Sequence, residues 1–148
     1  TGESAGAAVM SRVMIREAGV VLNTMLHGMK MGREIDKGLG FLDPNWFIDQ
    51  HCLVRGRFAR TLVAMQEENV KFGIGIDEGT AIVVDRGQRF EVVGPGAVYV
   101  VDGTGITYSS LSEEHAEGIV TVHDVRLHVL GEGDCYDLEA RRPVVVSR

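Results

Sequence analysis

The chain has 148 residues, 45% of them hydrophobic, and a formal net charge of −6. That length builds one domain with a real core, and the acidic balance argues against nucleic acid or an anionic membrane surface as a general partner. No apolar run reaches bilayer-spanning length, and the two distant cysteines, Cys52 and Cys135, make neither a disulfide framework nor a zinc pattern.

Residues Gly2-Glu3-Ser4-Ala5-Gly6 spell Gly-x-Ser-x-Gly. This is the pattern of a nucleophile elbow, a tight strand-to-helix turn that pushes a serine hydroxyl outward. Gly2 and Gly6 are expected where a Cβ would collide with its surroundings. The Ala5 amide is expected to point at the same spot as the Ser4 hydroxyl, as half of an oxyanion hole. The same five residues also suit a plain small-residue helix start. Ala7, Ala8, Met10, Met14 and Ile15 predict a helix from Ala5 to about Leu22, with Ser4 at its N-terminus. An elbow needs a strand in front of it, and only Thr1 precedes Gly2. The leading strands are therefore expected in another polypeptide or in an N-terminal half.

Residues 23 to 37, with Met25, Met29, Met31 and His27, read as loop or short helix, the methionines as core filling and His27 as a surface or packing residue. After a turn over Gly38–Pro44, residues 45 to 48 predict a short buried strand ending in Asp49-Gln50-His51. Polar groups at the carboxyl end of such a strand lie where open α/β sheets place their sites. A helix is predicted from about Arg57 to Asn69, with Phe58, Leu62 and Met65 on one face. Arg55, Arg57 and Arg60 cluster at its start, where cations oppose the helix dipole, so they suit either an anion site or a solvated basic edge. Residues 72 to 76 predict a second strand, leading into Asp77-Glu78, and residues 81 to 84 a third. Spacing alone leaves open which of the two acids does chemistry.

From Asp85 onward, short β-rich runs alternate with Gly and Asp turns: 90 to 93, 97 to 102, 106 to 110, 118 to 130 and 143 to 146. His115, His123 and His128 fall in this tail at no metal-binding spacing and are read as structural or exposed. Neither a metal nor another cofactor is expected. Cys52 and Cys135 are expected as buried thiols.

Serine, histidine and acid thus occur in the order Ser4, His51, Glu78. An imidazole near neutral pH takes a serine proton, and a carboxylate behind it fixes the tautomer. The Gly-Glu-Ser-Ala-Gly-Ala elbow also looks like that of type-B carboxylesterases, but there the acid precedes the histidine and both lie much farther downstream.

Ser4-Ala5-Gly6-Ala7, Met10-Ser11, Met14-Ile15, Gly38-Leu39-Gly40-Phe41-Leu42, Ile48-Asp49-Gln50-His51, Arg55-Gly56-Arg57-Phe58-Ala59-Arg60 and Gly73-Ile74-Gly75-Ile76-Asp77-Glu78-Gly79-Thr80-Ala81 together resemble the serine peptidases of the cyanophycinase and dipeptidase E type. The resemblance covers about residues 2 to 84, the catalytic motifs; residues 85 to 148 match it only as a β-rich tail. It implies an α/β, class I glutamine amidotransferase-like (flavodoxin-like) sandwich, of which this chain is the C-terminal half, completed by an N-terminal half as a separate or missing partner.

It also implies serine exopeptidase action on aspartyl linkages, in a polymer with an aspartate backbone and arginine side groups. By position Ser4 matches the nucleophile, His51 the base and Glu78 the acid, while Asp49, Gln50, Arg55, Arg57 and Arg60 match the substrate pocket. Glu3 departs from the family's usual Thr, adding a charge beside the nucleophile that bears on substrate choice. Cleavage of a precursor would leave Thr1 as a second candidate nucleophile, with its own amine as base. The family's habit of pairing implies a homodimer of whole units, and the compartment is expected to be cytoplasmic. Two alternatives stand beside this reading: a dipeptidase or self-processing peptidase for α- or β-aspartyl peptides, and a non-catalytic binding subunit of the same fold.

Overall fold

Near-continuous apolar runs on three short strands, buried on both faces, set the frame. In the computed structural model, which describes residues 1–86, 88–112 and 118–144, β3 (Trp46–Gln50) and β4 (Phe72–Ile76) pair in parallel. They are joined by the helix α3 (Phe58–Glu67), the crossover that a parallel pair requires. The antiparallel strands β7 (Val98–Asp102) and β10 (Arg126–Leu130) continue this sheet in the order β10-β7-β4-β3. The tail is thus built into the same sheet as β3 and β4. Both parallel strands belong to a four-stranded sheet built within the chain.

Before β3 come α1 (Ala5–Ala8), β1 (Val13–Ile15), α2 (Val21–His27) and β2 (Ile35–Lys37), with β1 and β2 antiparallel. A second sheet has the order β12-β11-β6-β5, from β5 (Ala81–Asp85), β6 (Arg89–Val93), β11 (Cys135–Asp137) and β12 (Arg142–Val144). A short ribbon joins β8 (Tyr108–Ser109) to β9 (Val122–His123). The architecture is α/β with mixed sheets.

Two apolar clusters lie on opposite faces of the central sheet, as period-two side-chain alternation demands. Trp46, Ile48, Ile74, Val98 and Val100 point to the second sheet, where Phe90 and Tyr136 stack. Phe47, Tyr99 and Val101 point instead to Val63 and Met65 of α3 and to Val13, Met29 and Ile35. On this second face β4 has only glycines. A Cβ on Gly73 would lie 2.7 Å from Thr61 Cγ2, and one on Gly75 would lie 2.3 Å from Tyr99 Cε2. Both separations are far inside van der Waals contact, so α3 and the Tyr99 ring seat directly on strand backbone.

Four expectations need correction. The helix predicted from Ala5 to Leu22 is a single turn, α1, followed by a strand, because Ser11 turns inward and the chain doubles back. Ser11 is fully buried, and its Oγ accepts the Ile48 amide at 2.9 Å. Residues 23 to 37, read as loop or short helix, hold the end of a short helix, α2, which begins at Val21, and also a strand, β2. The tail also holds a strand, β11, that the turn pattern hides. The run expected at 143 to 146 begins one residue earlier, at Arg142; residues 145 and 146, like His115, lie outside the described residues.

Candidate active site

The parallel strands β3 and β4 end side by side, so His51 and Glu78 leave the same edge of the sheet. α1 packs near that edge, against β3. Ser4 Oγ lies 2.8 Å from His51 Nε2, and His51 Nδ1 lies 2.9 Å from Glu78 Oε1. The three side chains therefore form one hydrogen-bonded line through the imidazole. Asp77 faces elsewhere: its Oδ1 accepts the Val54 amide at 3.4 Å.

The turn that presents Ser4 is strained. Ser4 has φ 51° and ψ −117°, a left-handed conformation unfavourable for a residue with a Cβ. A Cβ on Gly2 would sit 2.0 Å from the Gly6 carbonyl oxygen, so the turn demands glycine there. Gly6 differs from its expected role, because a Cβ at that position would meet nothing within 4 Å. The Glu3 carbonyl accepts the Gly6 amide, and the Ser4 carbonyl accepts those of Ala7 and Ala8. The Ala5 amide donates to no group among the described residues. An uncommitted N–H next to a nucleophile suits a developing oxyanion. Glu3 and Thr1 are exposed, and neither side chain bonds Ser4, His51 or Glu78 among the described residues.

The residues around His51 divide into two groups. Asp49 and Arg60 are buried, 1% and 5% exposed. Arg60 Nε donates to Asp49 Oδ2 at 2.8 Å, Arg60 Nη2 donates to Oδ1, and Thr61 Oγ1 donates to Oδ2 at 2.9 Å. This pairing gives Arg60 a structural reason for its place near a helix N-terminus, which the sequence lacks. Arg57 Nη1 donates to the Gln50 carbonyl at 2.9 Å and to Gln50 Oε1 at 3.2 Å. Arg55 is exposed. Burial, and then the neighbouring Arg60, lower the Arg57 pKa, with Asp49 opposing.

Arg55, Arg57 and Arg60 line a pocket of ≈ 470 Å³ together with Ala18 to Val21, and no acidic residue is in its wall. A larger cavity, ≈ 490 Å³, lies by Trp46 and Phe72, at the other end of β3 and β4 from the triad. Below His51, Cys52 is buried beside Tyr99. Burial, helped by Asp49, pushes its thiol up to about 12. Cys135 is also a buried free thiol.

Sequence reasoning missed Thr61, which completes the shell around Asp49, and Tyr99, which covers Gly75. Only the glycines inside a strand signalled the second of these. Among the described residues, no group of His, Cys, Asp and Glu is arranged to hold a metal ion. No helix among them is long and apolar enough to cross a membrane.

No protein-family model matches the chain. It is similar over nearly its whole length to proteins named cyanophycinase. Identity is 39% over 145 residues to that of Geminocystis herdmanii (strain PCC 6308), covering 97% of this chain and 51% of the relative. It is 38% over 142 residues to that of Trichormus variabilis, covering 95% and 45%, and 33% over 141 residues to that of Synechococcus elongatus, covering 95% and 42%. The chain spans about half the length of the curated relatives it matches.

Proposed function

The chain belongs to the cyanophycinase-like family, and from that premise we propose that it carries the catalytic residues of a serine peptidase acting on cyanophycin or a similar aspartyl polymer. The observation that carries this reading is the unbroken line from Ser4 Oγ through His51 to Glu78, at 2.8 and 2.9 Å.

His51 Nε2 takes the Ser4 proton as Oγ attacks the carbonyl carbon of a backbone aspartyl peptide bond. Negative charge forms on the carbonyl oxygen, and the Ala5 N–H, uncommitted among the described residues, donates to it. Glu78 accepts the Nδ1 hydrogen and steadies the imidazolium. The C–N bond then breaks, and His51 returns the proton to the leaving amine. Water repeats the cycle on the acyl-enzyme, releasing acid and restoring Ser4. Arg55 and Arg57 suit the substrate's carboxylates, since guanidinium forks bind them through paired hydrogen bonds. Glu3, exposed beside the nucleophile, suits an arginine side group of the same polymer.

We read the fold as the C-terminal part of a class I glutamine amidotransferase-like domain. Support comes from the parallel β3 and β4 with site residues at their carboxyl ends, and from relatives about twice as long. In this reading a partner half supplies further sheet and the second oxyanion donor. Incubating the intact protein with cyanophycin and weighing the products tests the function. Release of aspartyl-arginine dipeptides, lost in Ser4→Ala, is expected. A protein that leaves the polymer intact, or cuts it equally well as Ser4→Ala, contradicts it.

A further inference from the structure

We propose that Asp49, Arg60 and Thr61 form a positioning brace for His51, and that the Asp49 carboxylate is not a contact for the substrate; the inference rests on the triad reading above.

The carboxylate of Asp49 has no acceptor capacity to spare for a ligand. Oδ2 receives Arg60 Nε and Thr61 Oγ1, while Oδ1 receives Arg60 Nη2 and the Gln50 amide. Four donors on two oxygens saturate it. It is also 1% exposed, with its face turned into α3 and away from solvent.

What the cluster does is hold the end of β3. Asp49 is two residues before His51, and Arg57 grips the Gln50 carbonyl, in the peptide that leads into His51. His51 then adopts φ 53°, a left-handed conformation that costs a non-glycine residue about 1–3 kcal/mol and persists only where neighbours over-determine it. The start of α3, through its N-cap Arg57 and through Arg60 and Thr61 in its first turn, provides that constraint. The imidazole must meet Ser4 and Glu78 at once, and a misplacement of about 1 Å can cost about 10²-fold in rate. Arg55, exposed and without a side-chain hydrogen bond or ion pair among the described residues, has no part in the brace.

The test uses Thr61→Val, Thr61→Ser and Asp49→Asn in the intact protein. Two readouts are taken: the rate at which Ser4 is labelled by diisopropyl fluorophosphate, an uncharged probe that needs no cationic pocket, and kcat and KM on an aspartyl-arginine polymer. The brace predicts that Thr61→Val and Asp49→Asn slow labelling about tenfold or more and lower kcat, with KM within about twofold. Thr61→Ser restores both. Labelling at the unmodified rate with a raised KM overturns the brace and makes Asp49 a substrate contact. Should Asp49→Asn fail to fold, the Thr61 pair decides alone. If the unmodified protein is neither labelled nor active, the hydrolase reading fails and the brace goes with it; labelled protein with unaffected variants sinks only the brace.

Discussion

In the proposed triad, Ser4 is a weak nucleophile until His51 takes its proton, and His51 serves only in the tautomer that Glu78 selects. Ser4→Ala therefore abolishes hydrolysis, and Glu78→Gln lowers kcat by about 10³-fold or more while KM changes little, which steady-state kinetics on cyanophycin would check. Cys52, next to His51, behaves oppositely to a reactive thiol. With its pKa near 12, thiolate is about one part in 10⁴ at pH 8, so iodoacetamide leaves it unmodified until the protein is unfolded. The raised pKa also means that the folded state holds this proton when the unfolded state releases it. Cys52 thus contributes stability below pH 9, lost as pH climbs toward 12, and Cys52→Ala flattens that alkaline fall in Tm. At this scale the sequence was partly legible. Ser4, His51 and Glu78 stood at strand ends or a helix start and matched family motifs in order. Neighbouring acids could not be told apart, because Asp77 and Glu78 differ only in which way each turns after β4. The split of the arginines into a buried brace and an exposed cation was invisible, since Asp49 and Arg60 meet only once α3 folds back on β3.

At the scale of elements, the close seating of α3 and Tyr99 on β4 makes its glycines structural. Gly75→Ala drives a methyl into the Tyr99 ring and Cys52 Sγ, 2.3 and 2.8 Å away, and costs about 1–3 kcal/mol in denaturant unfolding. Gly6→Ala, in open space within a helical turn, costs nothing or stabilises slightly. Equal losses from both would contradict this packing. Strands β3, β4, β5 and β7 were readable because each carries an apolar run between turn residues, and β6 because its buried Phe90 and Val92 alternate with exposed residues. The start of the chain misled because its methionines and alanines fit a helical period that tertiary contacts override: Ser11 is needed as the acceptor for Ile48, and the chain turns to deliver it. β11 was hidden because Cys-Tyr-Asp is too short to show alternation.

For the whole molecule, β3 is an edge of the central sheet among the described residues, beside the Ser4–His51–Glu78 line, and the relatives are about twice as long. A partner half docking there would complete both the sheet and the oxyanion site. Residues 1–148 expressed alone should then be nearly inactive, with activity restored by co-expression with the upstream half; full activity of the isolated chain would refute that arrangement. The most direct measurement is mass spectrometry of the intact protein after reaction with a small fluorophosphonate. A single adduct on the peptide bearing Ser4, formed many times more slowly in His51→Ala, is the result expected. An adduct on Thr1 or elsewhere, or an equal rate without the imidazole, would contradict it.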